Sequence, residues 1–328
     1  MDAMYLCQSG RVTSSSVCVL GLGLIGGSIL RAAHRAGRPV WGWNRSAEAI
    51  AGAAADGYDV GTDLAAALSR AAAEDALIVI AVPMPAVDSV LAAVCEHAPA
   101  AALTDVVSVK AEVAAAVEAR GLQARYVGGH PMAGTSSSGW SATDPTLFVD
   151  AVWVVGTDAG VDAEVWVEVA RLALDCGSVV VPAGSDEHDR AVARISHLPH
   201  LLAETLAIVG AAGGPLALGL AAGSFRDGTR VASSSPNLVR AMTEGNAAAL
   251  RTALDEAMDT LSAARAELDE ASTKALVDAG HAARLQYEQH ERFEIAGITP
   301  GEPGWREKMR DAGRRGGVVR QIRSANAG

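Results

Sequence analysis

Three clusters in this chain set side chains that can move protons or grip carboxylates among glycines that free the backbone. In Gly128-Gly129-His130-Pro131-Met132-Ala133-Gly134, one histidine sits in a stiff loop directly after a strand-like pair, Tyr126-Val127. An imidazole there suits general-base work, because its ordinary pKa of about 6.5 lies near working pH. In Ser196-His197-Leu198-Pro199-His200 two histidines share one helix face at i,i+3. No third ligand accompanies them, so no metal is expected, and helix packing is the alternative role for each. In Gly223-Ser224-Phe225-Arg226-Asp227-Gly228-Thr229-Arg230, two arginines and an acid crowd a turn. Arginine's planar fork suits carboxylates better than lysine does, and an Asp227–Arg230 ion pair is the alternative.

These groups need a scaffold, and its clearest mark is Gly21-Leu22-Gly23-Leu24-Ile25-Gly26. The first glycine permits a tight turn, the second lets backbone approach a pyrophosphate, and the third lets helix and strand pack closely. Leu24 and Ile25 open a helix whose free N–H groups and dipole favour phosphate. The next strand ends at Asn44-Arg45-Ser46, where an NAD-selective site usually has an acid for the ribose hydroxyl. Asn44 can bond a hydroxyl, while Arg45 and Ser46 can grip a 2′-phosphate. The reading leans to NADP, with NAD or dual use as the alternative and a solvated surface role for Arg45. Val82 and Pro83, after the strand Ala76–Ala81, are counted with the cofactor site.

The first half of the chain alternates short apolar runs with Ala-rich helical patterns. This βα rhythm predicts an α/β fold with a parallel sheet covered on both faces. The runs Ala151–Val155 and Ser178–Val181 are expected to extend that sheet. From Asp186 to His290 helical periods dominate, with possible i,i+4 pairs Arg251/Asp255 and Arg265/Asp269. The expected division is a Rossmann-like NAD(P)-binding domain over 14–184, an all-α domain over 185–298, and a basic tail over 299–328. From Gly301 the tail carries Arg306, Lys308, Arg310, Arg314, Arg315, Arg320 and Arg323, and reads as frayed and solvated, with a polyanion contact as the alternative.

Composition narrows the function. With 27 basic against 38 acidic residues among 328, the formal charge of −11 argues against nucleic-acid or anionic-membrane partners. Cys7, Cys18, Cys95 and Cys176 form no C-x-x-C pair, which fits reduced thiols in a cytoplasmic protein. Met1–Ser16 does not read as a signal peptide, and no uncharged apolar run would span a bilayer. Lys110 reads as a solvated first-turn residue, with phosphate or substrate contact as the alternative. His34, His97, His188, His281 and His290 read as surface histidines, and Trp140, Trp153 and Trp166 as core or interface.

Taken together, GLGLIGGS, TDVVSVK, GGHPMAG, SHLPH and SFRDGTR, in that order from about Val17 to His290, resemble the prephenate/arogenate dehydrogenase family of tyrosine biosynthesis. The resemblance implies a modified Rossmann domain followed by a helical domain that forms a homodimer. It implies oxidative decarboxylation of prephenate to 4-hydroxyphenylpyruvate, or of arogenate to tyrosine. His130 matches the family's catalytic histidine. Ser108 matches a serine near the substrate hydroxyl, although an N-cap role for the next helix is the alternative. Arg230 matches a carboxylate-binding arginine, with Arg226 less closely matched. One of His197 and His200, with His197 preferred, is implied to approach the substrate. Val107 and Gly228 depart from the family's usual residues, but neither change removes a chemical group. The rivals are another NADP-dependent hydroxyacid dehydrogenase, disfavoured because Lys274 alone stands in the helical half, and an NADP-sensing regulator without chemistry.

Overall fold

The computed structural model describes residues 15–135 and 137–322. Cys7, Arg323 and nearly all of the leader read above lie outside the described residues. Six strands, β1 (Val17–Leu20), β2 (Val40–Trp43), β3 (Val60–Gly61), β4 (Leu77–Ile80), β5 (Leu103–Asp105) and β6 (Tyr126–Val127), form one parallel sheet in the order β3-β2-β1-β4-β5-β6. Successive side chains point to opposite faces, so each apolar strand feeds two cores. Val17, Val19, Leu77 and Val79 pack with Ile29, Leu30 and Trp166 on one side. Cys18, Leu20, Ile78 and Ile80 pack with Leu68, Leu91 and Val113 on the other. Helices α1 (Leu24–Arg35), α2 (Ala47–Ala55), α3 (Leu64–Ala73), α4 (Met84–His97) and α5 (Ala111–Glu118) make the crossovers. The Rossmann-like α/β expectation holds. Burial pushes the Cys18 and Cys176 thiols up to about 12, so both are inert.

Beyond β6 the chain turns at Gly128 into β7 (Gly129–Pro131), which runs antiparallel to β8 (Val152–Gly156) with His130 opposite Val154. Strand β8 then pairs in parallel with β9 (Val179–Ala183) across α6 (Ala163–Asp175). The runs Ala151–Val155 and Ser178–Val181 therefore do not extend the parallel sheet. They build a separate three-stranded sheet, because the loop after β7 is pinned back on α1 and α2. Trp140 fills a slot where a Cβ on Gly27 or Gly52 would meet its ring at 3.1 and 2.8 Å. Its Nε1 donates to Asp56 at 2.9 Å, and the Arg31 guanidinium lies 4.3 Å from its ring centre. Trp140, Trp153 and Trp166 are all buried, as expected.

The helical region begins with α7 (Ser185–Val192), passes through a wide π-type turn at Ala193–His197, and continues as α8 (Leu198–Ala212). Then come α9 (Gly214–Gly219), α10 (Gly223–Gly228), α11 (Pro236–Gly245), α12 (Ala247–Glu267) and α13 (Lys274–Glu288). The expected pairs Arg251/Asp255 and Arg265/Asp269 are not among the ion pairs, whereas Lys274–Asp278 and Arg284–Glu288 are. The continuous helix Ser185–Ala212 is, by length and composition, apolar enough to cross a membrane. Ile195, Ile208, Val209, Leu216, Leu220 and Met258 are each at least half exposed, so this region lacks a cover over much apolar surface.

The tail is not frayed over its described length. Strand β10 (Phe293–Glu294) pairs with β11 (Gly317–Val318), and between them α14 (Trp305–Arg314) docks against β9. Trp305, Met309 and Ala312 recur along one helical face and are buried. Three of the cations that suggested a solvated segment bond the rest of the fold. Arg306 donates to the Val161 carbonyl at 3.0 Å and Arg310 to the Thr157 carbonyl at 2.5 Å, while Arg314 pairs with Glu187. Charge density concealed a short amphipathic stripe. Replacing Trp305 by Ala is expected to destabilise the protein by about 3–5 kcal/mol in urea denaturation. A dispensable tail would show a change within about 0.5 kcal/mol.

Candidate active site

The nucleotide end is built where β1, β4 and β5 terminate, at the switch point between β1 and β4. Gly21 has a φ of 107°, and a Cβ on it would lie 2.4 Å from the Ala81 carbonyl oxygen. A Cβ on Gly26 would lie 1.9 Å from the Gly21 carbonyl oxygen, so that glycine sets the helix against the strand. A Cβ on Gly23 would meet nothing within 4 Å. That position is the open cradle in which a pyrophosphate can approach the backbone, in front of Leu24 and Ile25 at the start of α1. These residues fit a dinucleotide. Val82 is buried and Pro83 precedes α4 at the neighbouring strand end. Asn44 is tied to β3 through its backbone, Ser46 Oγ accepts from the Ala49 amide at 3.4 Å, and Arg45 is exposed with no hydrogen bond to the described residues.

The chemical end rests on a polar knot beneath β7. Asp105, fully buried, accepts from the Val107 amide at 2.9 Å, the Gly129 amide at 3.2 Å and the Tyr126 hydroxyl at 2.7 Å. It also receives the Lys110 ammonium, which donates in addition to the Gly129 carbonyl at 2.6 Å. Lys110 is therefore not solvated but 2% exposed. Its long apolar stem let the tertiary fold draw its charge inward to a carboxylate. Burial pulls the ammonium pKa down while Asp105 pushes it back, and burial raises the Tyr126 hydroxyl well above its ordinary range. Gly129 is required here, since a Cβ on it would lie 2.7 Å from the Asp105 carbonyl oxygen. The knot grips both sides of the Gly129 peptide unit and so aims the next residue, His130.

His130 meets a partner that the sequence placed on the surface. His188, 3% exposed on α7, lies with its Nε2 2.8 Å from His130 Nδ1, and its own Nδ1 is 2.8 Å from Asp189 Oδ1. The Asp189 carboxylate also accepts the Lys110 and Ala111 amides at 2.9 and 2.8 Å. It thus caps α5 from another domain, and the N-cap role considered for Ser108 is filled by Asp189. Burial draws the Asp189 carboxyl upward, but these bonds outweigh it and hold its pKa low. Burial, then His188, Lys110 and His197, hold the His130 imidazole well below its ordinary 6.5. That shift favours the neutral imidazole that a proton acceptor needs.

The wide turn brings in a third histidine. Nine residues of regular α-helix make about two and a half turns, which would set His197 on the far side from His188. The turn at Ala193–His197 takes up part of that half-turn. His197 is 1% exposed, and its Nδ1 lies 3.2 Å from Asn246 Nδ2, which also donates to the Asp189 carbonyl at 2.7 Å. An amide N–H facing Nδ1 leaves the His197 proton on Nε2. His200, one turn on, has a buried Nδ1 with no partner. Burial lowers its pKa, Glu204 opposes this, and the nearby Arg230 adds to the lowering. Arg230 is exposed and forms no ion pair with Asp227, and Arg226 is exposed on α10. Ser108 is half-buried between β5 and α5, with no side-chain hydrogen bond among the described residues.

Sequence reasoning thus missed His188, Asp189, Lys110 and Asn246. The adjacent His188-Asp189, in the first helix after β9, was the available signal. The histidines carry a pH signature. Burial pushes His197 down to about 4, from an ordinary 6.5. The unfolded chain then binds that proton first, so its contribution is full above about pH 6.5 and is lost as pH falls towards 4. The expected loss is on the order of 3 kcal/mol, read as falling stability in urea titrations from pH 7 to 4.5. His197→Gln should flatten that slope.

Family comparison follows the same division of the chain. Residues 27–182 match the family described as prephenate dehydrogenase, nucleotide-binding domain, and residues 184–279 match its dimerization domain. A prephenate dehydrogenase of Bacillus subtilis is 34% identical over 237 residues, which cover 69% of this chain and 62% of that protein. A cyclohexadienyl dehydrogenase of Zymomonas mobilis is 31% identical over 250 residues, 73% of this chain and 83% of that protein. A solved structure of a candidate prephenate dehydrogenase from Corynebacterium glutamicum is 51% identical with a TM-score of 0.88, covering 94% of this chain and 99% of that one. Both domain families are matched in order along the chain, and it belongs to the prephenate dehydrogenase family.

Proposed function

We propose that this chain catalyses the NAD(P)-dependent oxidative decarboxylation of prephenate to 4-hydroxyphenylpyruvate, acting as a cytoplasmic homodimer. The observation that carries the reading is His130, half-buried and set 2.8 Å from the buried His188, in a chain that also has a dinucleotide cradle and a helical region bearing His197, His200 and Arg230. The bound nicotinamide supplies the hydride acceptor. His130 takes the proton of the C4 hydroxyl as hydride leaves that carbon and the carbinol becomes a carbonyl. The bond from C1 to its carboxylate then breaks, its electron pair completes the aromatic ring, carbon dioxide leaves, and the phenolate oxygen recovers the proton. Ser108 hydrogen-bonds the reacting oxygen or orients His130. Arg230 binds a substrate carboxylate, with His200, His197 and Arg226 completing the cleft. His197 donates from Nε2, because Asn246 occupies its Nδ1.

The dimer reading rests on the matched dimerization domain and on the apolar side chains left exposed over α8, α9 and α12. A second copy would cover them, including those of the apolar helix Ser185–Ala212. Arogenate is the second reading, favoured by the relative named for cyclohexadienyl substrates, a term that covers both acids.

Reduced-nicotinamide absorbance assays with prephenate and arogenate test the activity. His130→Asn should lower kcat on the order of 10²- to 10⁴-fold with cofactor affinity retained. Arg230→Gln should raise substrate KM on the order of 10- to 100-fold and leave cofactor KM unchanged. A reversed pattern in either variant would overturn that residue's role. The cofactor lean towards NADP rests on exposed Arg45 and on the lack of an acid beside Asn44. kcat/KM should be higher with NADP, and an NAD preference beyond about tenfold would overturn it.

A further inference from the structure

The mechanism above uses His130 and leaves unused a buried imidazole–carboxylate pair directly behind it. His188 and Asp189 are 3% and 4% exposed, and the two contacts that join them to His130 are each 2.8 Å. Ionised Asp189 accepts hydrogen bonds only, so the proton between it and His188 must sit on His188 Nδ1. Neutral His188 then offers a lone pair at Nε2, and the contact requires His130 to hold its proton on Nδ1. The consequence is a bare lone pair at His130 Nε2, the nitrogen available to a substrate hydroxyl. A carboxylate two side chains away therefore sets which nitrogen of the base is basic. Asp189 is itself held in place by the Lys110 and Ala111 amides, so its orientation does not depend on substrate.

From this geometry we infer that His188 and Asp189 are positioning residues that fix the His130 tautomer and share its proton during turnover. The inference rests on the proposed dehydrogenase reading for its second half only. In the step itself, His130 Nε2 takes the hydroxyl proton and the Nδ1 proton passes to His188 Nε2. His130 ends neutral, and His188 becomes an imidazolium against the Asp189 carboxylate. Both transfers reverse when the phenolate forms, so no proton is gained or lost. The arrangement answers a specific difficulty: His130 is half-buried and faces the buried His188, so a cation confined to it would be poorly solvated. Moving the charge one ring back sets it beside its counter-ion.

The test is nitrogen NMR of the full-length protein with 15N-labelled histidine, with cofactor bound and no substrate. His130 and His188 are expected to show protonated Nδ1 and unprotonated Nε2. Asp189→Asn is expected to convert His188, and with it His130, to the Nε2-protonated form and to lower kcat on the order of 10²-fold. His188→Gln keeps an acceptor for His130 Nδ1–H and a donor for Asp189, so it should fold and keep the His130 tautomer. It should still lose at least about tenfold in kcat, because an amide cannot hold the relayed proton. A native His130 protonated at Nε2 would overturn the tautomer assignment, and a His188→Gln enzyme with native kcat would overturn the relay. If Asp189→Asn does not fold, the native spectrum and His188→Gln still decide. The spectrum needs no turnover, so native tautomers as expected with no activity on either acid would overturn the functional reading alone.

Discussion

The site depends on one buried ion pair. Asp105 and Lys110 have been taken out of water almost completely, and such a pair is favourable only when its remaining donors and acceptors are filled. Here they are: the carboxylate also takes two amides and a tyrosine hydroxyl, and the ammonium also takes the Gly129 carbonyl. Removing either partner would strand a charge in the interior. Because one end of the pair lies at the end of β5 and the other at the residue before α5, and both grip Gly129, the knot fixes where β7 leaves the parallel sheet. His130 inherits that direction.

A second carboxylate ties this arrangement to the helical region. Asp189 belongs to α7 yet caps α5, and its neighbour His188 reaches the histidine on β7. Two amides and an imidazole thus tie α7 to the start of α5 and to β7. The π-type turn that follows belongs to the same design, since it rotates His197 towards Asn246 and the Asp189 backbone. Irregular helix geometry here has an evident use. The C-terminal helix α14 closes the outer side by bonding Arg310 to Thr157 and Arg314 to Glu187, one residue from His188.

The parts legible in the sequence were those in which a residue acts through its local neighbours. The fingerprint glycines, the βα rhythm, the change to helices after Gly184 and the histidine in its glycine loop all depend on short-range spacing. The illegible parts were those in which a polar side chain is satisfied by something distant. Lys110 looked solvated because nothing near it in sequence reveals that Gly129, nineteen positions on, lends its carbonyl. His188 looked like a surface histidine because its partner is 58 positions away. The tail looked frayed because the carbonyls that bind its arginines lie about 150 positions earlier.

The sequence by itself determined that this chain builds a dinucleotide-binding α/β domain followed by helices, and it offered His130, Ser108 and Arg230 as candidates for the chemistry. Hydrophobic period and glycine stereochemistry are local properties, and they are written in the order of residues. Only the tertiary structure decided the protonation states. Those depend on burial and on which charges face one another, and burial is a property of the folded surface rather than of any segment. That is why His130 could be found as a candidate base from its loop, while the ring and carboxylate that determine its basic nitrogen could not.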